Sequence, residues 1–436
     1  PPGADPHAGW CGRGSVRYPD RPYPDMELDL NRLFHTRHSW LLPTLPLLLG
    51  LLSGCGEKPV PAIEAFLSKH WTEPMPPQGA PPATFSPLEA SLSPEACGQC
   101  HTEQLAAWRT SLHSKTMGPG LRWQLKLMDQ DQGNRCLRCH APLAEQKALL
   151  ALEHGWPNAP KQPPPDYVEA GLGHQGLVCA ACHVRGHQRF GPPPRAEVAA
   201  DIPHGGFTVS TAFGDSRFCA HCHQFPDDGP SIAGKLMEDT YRQWLASPYA
   251  KGGDKQTCQS CHMPDRQHLW RGIHDPEMTR RAIDVSLKLH ALGDGRYEAR
   301  ANVRNSGAGH HFPTYMVPKV ELAFYRHDAD GGIFELGRQV IGWQVDTPIT
   351  RELFDTRIPA GEARDFRQPF TAPGSDWRVV LVMRVLPAEH YERIYRDSLS
   401  RADQLPAAAV PLLRNALAEA VAARYELLRI EAGVDR

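Results

Sequence analysis

The pattern Cys-x-x-Cys-His recurs five times in this chain, as Cys97-Gly-Gln-Cys100-His101, Cys136-Leu-Arg-Cys139-His140, Cys179-Ala-Ala-Cys182-His183, Cys219-Ala-His-Cys222-His223 and Cys258-Gln-Ser-Cys261-His262. Two thiols three positions apart, followed at once by an imidazole, form the attachment signature of c-type haem. On one helical turn, positions i, i+3 and i+4 share a face. Both thiols therefore reach one porphyrin edge while the histidine sits beneath the iron. Zinc competes for such pairs, because Cys-x-x-Cys knuckles also build zinc ribbons, and disulfides compete too. Knuckles come in twos, however, and five is odd. Histidine makes up 22 of the 436 residues, so chance would put one after all five pairs on the order of once in several million. Five covalent haems are the cofactors expected, with these ten cysteines as attachment points and His101, His140, His183, His223 and His262 as proximal ligands.

The ends of the chain suggest export. Pro1 to Asp25 precede the first methionine, Met26, and read as an over-extended frame. From there a segment with Arg32 and Arg37 leads into the apolar run Trp40 to Leu52 and then Leu52-Ser53-Gly54-Cys55, the order of a secretory signal. The run spans 13 residues, against the roughly 20 a spanning helix needs. The small pair before Cys55 resembles the lipobox of bacterial lipoproteins. That resemblance implies a lipid anchor at Cys55, on the periplasmic side or at an outer-membrane surface, with a plain cleaved signal as the alternative. From Glu57 to Pro94 there are nine prolines, expected as an extended tether over 55–92. With 47 Lys+Arg against 49 Asp+Glu, no basic stripe points to nucleic acid.

The first cysteines stand 39, 43, 40 and 39 residues apart, which suggests repeated units. One fragment is visible twice, as Trp108-x-x-Ser111-x-His113 and as Trp244-x-x-Ser247-x-Tyr249. With Leu177 to His183 and Cys258-Gln-Ser-Cys-His-Met-Pro264, these residues resemble the multihaem c-type cytochromes, in particular the group related to the tetrahaem cytochromes of hydroxylamine oxidation. The resemblance covers about Ser93 to Asp275, and a fifth site departs from it.

Each iron keeps one axial position beyond its motif histidine, and the occupant tunes the potential or leaves room for a substrate. The resemblance makes His113 a distal candidate. His187 and His204 lie in a Gly/Pro-rich loop able to fold back. His268 and His274 follow the fifth site within chain reach. His310 and His311 sit in a turn-rich loop of a kind that faces the haems in related cytochromes. His154 and His174 are weaker candidates, and His221 is trapped inside a motif. Tyr249, Met117 and Met263 read as packing.

After Asp284 the period becomes two, with Val285, Leu287 and Leu289 and then Tyr297, Ala299, Ala301 and Val303. Further strands are expected at Val320–Tyr325, Arg338–Val345 and Trp377–Val385. Leu412, Leu413, Leu417, Val421 and Leu428 suggest a last amphipathic helix against this module, or an oligomer contact. The fold expected is a mostly α or irregular multihaem domain over 93–280, a β-sandwich-like domain over 281–386 and C-terminal helices over 387–436. The haem segment lacks long apolar periodicities, so it is expected not to fold without haem. The function expected is single-electron transfer between redox partner proteins, from a membrane-associated donor to a periplasmic or extracellular acceptor. The alternatives are a reductase of a small nitrogen or sulfur compound with one open haem, and a structural subunit of a filament or porin-linked complex.

Overall fold

The computed structural model describes residues 62–195, 202–252, 256–374 and 376–433. The expected extension, the signal and Cys55 lie outside these residues.

The described part of the expected tether is packed rather than extended into solvent. Helix α1 (Ala62–His70) presents Phe66 and His70, whose rings stack at 4.8 Å. Met75, Gln78 and Leu92 beyond it are 4%, 4% and 0% exposed. Proline stiffens this stretch, but its aromatic and aliphatic residues give it apolar area to bury. It runs as a strap over the attachment region.

That region is built from short helices: α2 (Thr102–Thr110), α3 (Pro119–Leu125), α4 (Gln130–His140) and α5 (Ala144–His154). An Asp129/Gln132 capping box starts α4, and Gly155 in the left-handed conformation ends α5. The third and fifth motifs are themselves single helical turns, Cys179–His183 and Cys258–His262. Small apolar clusters sit at the rim, one around Leu92, Leu143 and Leu172 and one around Leu125, Leu137 and Leu150.

From residue 283 the chain forms two antiparallel sheets. Strands β1 (Ile283–Gly293), β2 (Arg296–Asn305) and β7 (Ala363–Thr371) make one, in the order β7-β2-β1. Strands β3 (Lys319–Asp328), β4 (Ile333–Ile341), β8 (Trp377–Leu386) and β9 (Tyr425–Gly433) make the other, in the order β9-β8-β3-β4. A small hairpin pairs β5 (Trp343–Val345) with β6 (Glu352–Asp355). The alternating residues Ala299, Ala301 and Val303 of one sheet share a single cluster with Val320, Leu322, Phe324, Leu381 and Met383 of the other. Each large side chain so buried contributes about 1.5–3 kcal/mol.

Two features differ from the sequence reading. Leu428 belongs to β9, where it pairs with Met383, so the last element is a strand and not the end of a helix. A helical spacing of leucines is also compatible with a strand when β8 offers it an edge. Helices α6 (Glu389–Leu399) and α7 (Ala409–Ala422) pack through Tyr395, Leu413 and Ala416 against Trp123 of α3. The C-terminal helices thus dock on the attachment region, because the fully buried indole of Trp123 supplies the apolar surface they need. Among the described residues, no helix is long and apolar enough to cross a membrane.

Candidate functional site

All ten motif cysteines line one cavity of about 2660 Å³. Pockets for a single drug-sized ligand hold roughly 300–1,000 Å³, so this space suits several large groups. Eleven histidines line it: the five of the motifs together with His113, His204, His221, His268, His274 and His310. Among the described residues, no three His, Cys, Asp or Glu gather around one point. The donors are spread along the cavity wall.

The repeated Trp-x-x-Ser fragment has a structural meaning. Trp108 donates its indole N–H to the Leu177 carbonyl at 2.8 Å, two residues before Cys179. Trp244 donates to the Gln256 carbonyl at 2.9 Å, two residues before Cys258. Each buried indole therefore fixes the approach to an attachment turn, and the serine that follows caps the helix end. Where the first copy carries His113 into the cavity, Tyr249 of the second donates its phenol to the Ser306 carbonyl, which fits packing.

The imidazoles are oriented for metal binding through Nε2. His140, His183 and His262 donate Nδ1–H to the carbonyls of Thr116, Phe190 and Arg271 at 3.0, 2.8 and 2.6 Å. His204, His268 and His310 do the same to Gly206, Arg266 and His311 at 2.9, 3.0 and 2.9 Å. A backbone acceptor at Nδ1 fixes the tautomer and leaves Nε2 for a metal. Burial lowers His140, His262 and His268, brings His183 and His310 down to about 4 and His113 to about 3, and so keeps these six rings neutral, as ligation requires.

Three motif histidines face a second imidazole across the cavity. Ring centroids lie 6.3 Å apart for His113 and His223, 6.1 Å for His183 and His268, and 6.3 Å for His262 and His310. Two imidazoles on opposite sides of one metal stand about 6–6.5 Å apart, given metal–nitrogen bonds of roughly 2.0–2.1 Å. His101 has His204, His183 and His268 as histidine neighbours. His140 has no ring partner among the described residues at such a distance.

His187 is the correction to the expected set. It does not line the cavity: its Nε2 donates to the Gly79 carbonyl at 3.0 Å and its ring packs edge-on to Tyr167 at 4.7 Å. The strap residues close over it, and nothing in its local sequence announces them. His154 stacks on Trp156 and His174 pairs with Glu153, both away from the cavity. Buried Met117 belongs to the rim. His274 and Met263 line the cavity and His311 does not. Sequence reasoning missed two tryptophans. Trp270 packs edge-on to both His113 and His268, at 4.6 and 5.1 Å. Trp71 stacks on His221 at 4.8 Å. The dense histidines flanking Trp270 were the one available signal.

The donor set fits covalent haem. Cysteines come in attachment pairs, imidazoles flank them, the walls are apolar, and guanidinium groups such as Arg135, Arg138 and Arg271 supply positive charge for carboxylate substituents.

A family model described as cytochrome c554 and c-prime matches residues 96–158, which hold the first two motifs. Among solved structures, the chain is similar to a penta-heme cytochrome c552 from Thermochromatium tepidum, with 19% identity over 79% of this chain and 100% of that one and a TM-score of 0.55. A second structure, the Northeast Structural Genomics Consortium target SoR45, is 14% identical over 24% of this chain and 73% of its own, with a TM-score of 0.16. No curated protein matches. The structural likeness is one of fold. Together with the family match and the motifs, it supports a multihaem c-type cytochrome with covalently bound haem and a role in electron transfer.

Proposed function

We propose that, as a multihaem c-type cytochrome, this chain holds five haems and relays single electrons from a membrane-associated donor to a periplasmic or extracellular acceptor. On this reading it is an exported lipoprotein anchored at Cys55. Bound at the five motifs, haem c supplies reversible one-electron chemistry at potentials set by axial ligand, hydrogen bonding and burial. The chain's own residues do the rest. Cysteine pairs would fix each group in place, Nδ1 hydrogen bonds orient His140, His183, His262, His204, His268 and His310, and Trp108 and Trp244 position the third and fifth turns. The observation that carries the reading is the set of three cross-cavity histidine pairs at 6.1–6.3 Å, the spacing of bis-imidazole ligation, which suits a carrier. His204 would complete the first site opposite His101. The β region, whose two sheets share one core, reads as a β-sandwich that packs and orients the attachment region.

A second reading is favoured by His140, which faces no second imidazole among the described residues. An open position there would suit a reductase of a small nitrogen or sulfur compound, and Glu238, Tyr315 and Tyr391 line the same cavity as candidate proton donors. Electron paramagnetic resonance of the oxidised holoprotein separates the two. Low-spin signals alone support the carrier, whereas one high-spin signal that nitrite or cyanide shifts supports the reductase.

A further inference from the structure

We propose that Glu145, His187 and Gln78 form a binding site for one first-row divalent metal ion such as zinc, and that the bound ion latches the strap to the attachment region. None of the three lines the large cavity, and the proposal goes beyond the electron-carrier reading without resting on it.

The three come from separate stretches of chain. Glu145 stands in the first turn of α5, His187 in the turn that follows the third motif, and Gln78 in the strap. They are 6%, 1% and 4% exposed. Two contacts from one peptide hold Glu145 and His187 side by side. The Gln78 N–H donates to Glu145 Oε1 at 2.6 Å, and the carbonyl of the next residue, Gly79, accepts from His187 Nε2 at 3.0 Å. Tyr167 also touches both: its hydroxyl donates to the same Oε1 at 3.4 Å, while its ring packs edge-on to His187 at 4.7 Å. Burial and the Glu145 charge push the phenol up to about 12, so it stays a donor.

What these contacts leave over is a set of lone pairs. Glu145 Oε2, His187 Nδ1 and both amide atoms of Gln78 are buried without a hydrogen-bond partner. Because the Gly79 carbonyl can only accept, Nε2 carries the ring hydrogen and Nδ1 presents its lone pair. A ligating imidazole donates its other N–H to a backbone carbonyl or similar acceptor, and a ligating carboxylate is itself hydrogen-bonded. Both conditions are met here. The carboxylate's hydrogen-bond partners, a peptide N–H and a phenol, are neutral, and buried charges are paired or coordinate metals. Ordered water would fill the lone pairs but leave that charge uncompensated. An imidazole nitrogen beside oxygens suits a first-row ion better than calcium or magnesium, which take oxygen ligands. His187 also holds a left-handed backbone, with φ at 60°, strain of the kind kept at ligand clamps. Since Gln78 belongs to the strap, an ion at this point ties the strap to α5 and to the third motif at once.

The test uses holoprotein whose motif thiols are shown by intact mass to be occupied, stripped with a chelator, dialysed against zinc and counted for metals by mass spectrometry. Wild type is expected to hold one zinc per chain besides haem iron, and Glu145→Gln none. Tyr167→Phe, which keeps the ring and loses only the hydroxyl, should bind zinc about 10–100-fold more weakly. X-ray absorption at the zinc edge should show nitrogen and oxygen neighbours with one imidazole, and a protease should cut the strap faster in the stripped protein than in the zinc form. Wild type that takes up no zinc, or equal uptake by wild type and Glu145→Gln, overturns the site. Should Glu145→Gln not assemble, wild-type stoichiometry and the affinity of Tyr167→Phe decide in the same way. Sulfur neighbours at the zinc edge would also overturn it, by placing the ion on motif cysteines, and only that result would count against the haem reading as well.

Discussion

The two halves of this molecule solve the burial problem in opposite ways. Over residues 283–386 and β9, alternating side chains of two sheets meet in one continuous apolar cluster, so the polypeptide closes on itself. Over residues 93–280 the apolar residues fall into separate small clusters around a large cavity, and the middle is left to groups that the motifs attach. A chain whose centre is a cavity needs its prosthetic groups as core as well as chemistry. The contact between the halves is mixed. Ile232 and Met237 meet Met316 and Trp343, and Lys235 bridges Glu352 and Asp355 at 2.8 Å each.

The largest expected effect breaks the comparison outright. Chain produced without haem attachment should lose protease resistance over the attachment region, while a fragment beginning near residue 283 survives. Limited proteolysis with mass mapping reads this, and equal resistance of the two regions would remove the contrast. Within the β region, Leu381→Ala should cost about 2–5 kcal/mol, because Leu381 is fully buried between the sheets. Urea unfolding should show that loss with haem content unchanged.

The bridge between the halves should respond to acid. Burial alone would raise the Asp355 carboxyl, but hydrogen bonds from Arg357 and Lys235 hold it well below 3.8. A depressed carboxyl stabilises the fold above its unfolded pKa, and that share is lost as pH falls below 3.8. Asp355→Asn should therefore lower stability at neutral pH by about 1.5–3 kcal/mol and flatten the acid side of the stability curve. An unchanged acid limb would show that this carboxylate does not couple the halves. The smallest effect concerns the repeat. Trp108→Phe and Trp244→Phe each remove one indole hydrogen bond and should cost about 0.5–1.5 kcal/mol. The first should perturb the spectrum of the third site and the second that of the fifth, and a swapped pattern would contradict their assigned roles.

The sequence carried the parts whose signal is local. Five motifs are readable because thiol spacing is dictated by one porphyrin edge, and β1, β2, β3 and β8 because their alternation is strong. The Trp-x-x-Ser repeat was visible, although its purpose needed the Leu177 and Gln256 carbonyls, both distant in sequence or fold. β7 (Ala363–Thr371) was missed because only Phe366 along it is buried, which leaves little period-two contrast. The strap over 62–92 was misread because proline content argues for extension, whereas Trp71, Phe85 and Leu92 find partners supplied by residues 143–184. His187 and His268 have equally plain neighbourhoods in sequence. Which one faces the cavity depends on loop closure, set by hydrogen bonds to Gly79 and Arg266 respectively.

Intact-mass analysis of the protein purified from an export-competent, haem-attaching host tests the central claim most directly. The account predicts a mature chain carrying five covalent haem equivalents that survive acid denaturation. A bare polypeptide, or one whose added mass is zinc released by a chelator, would contradict it.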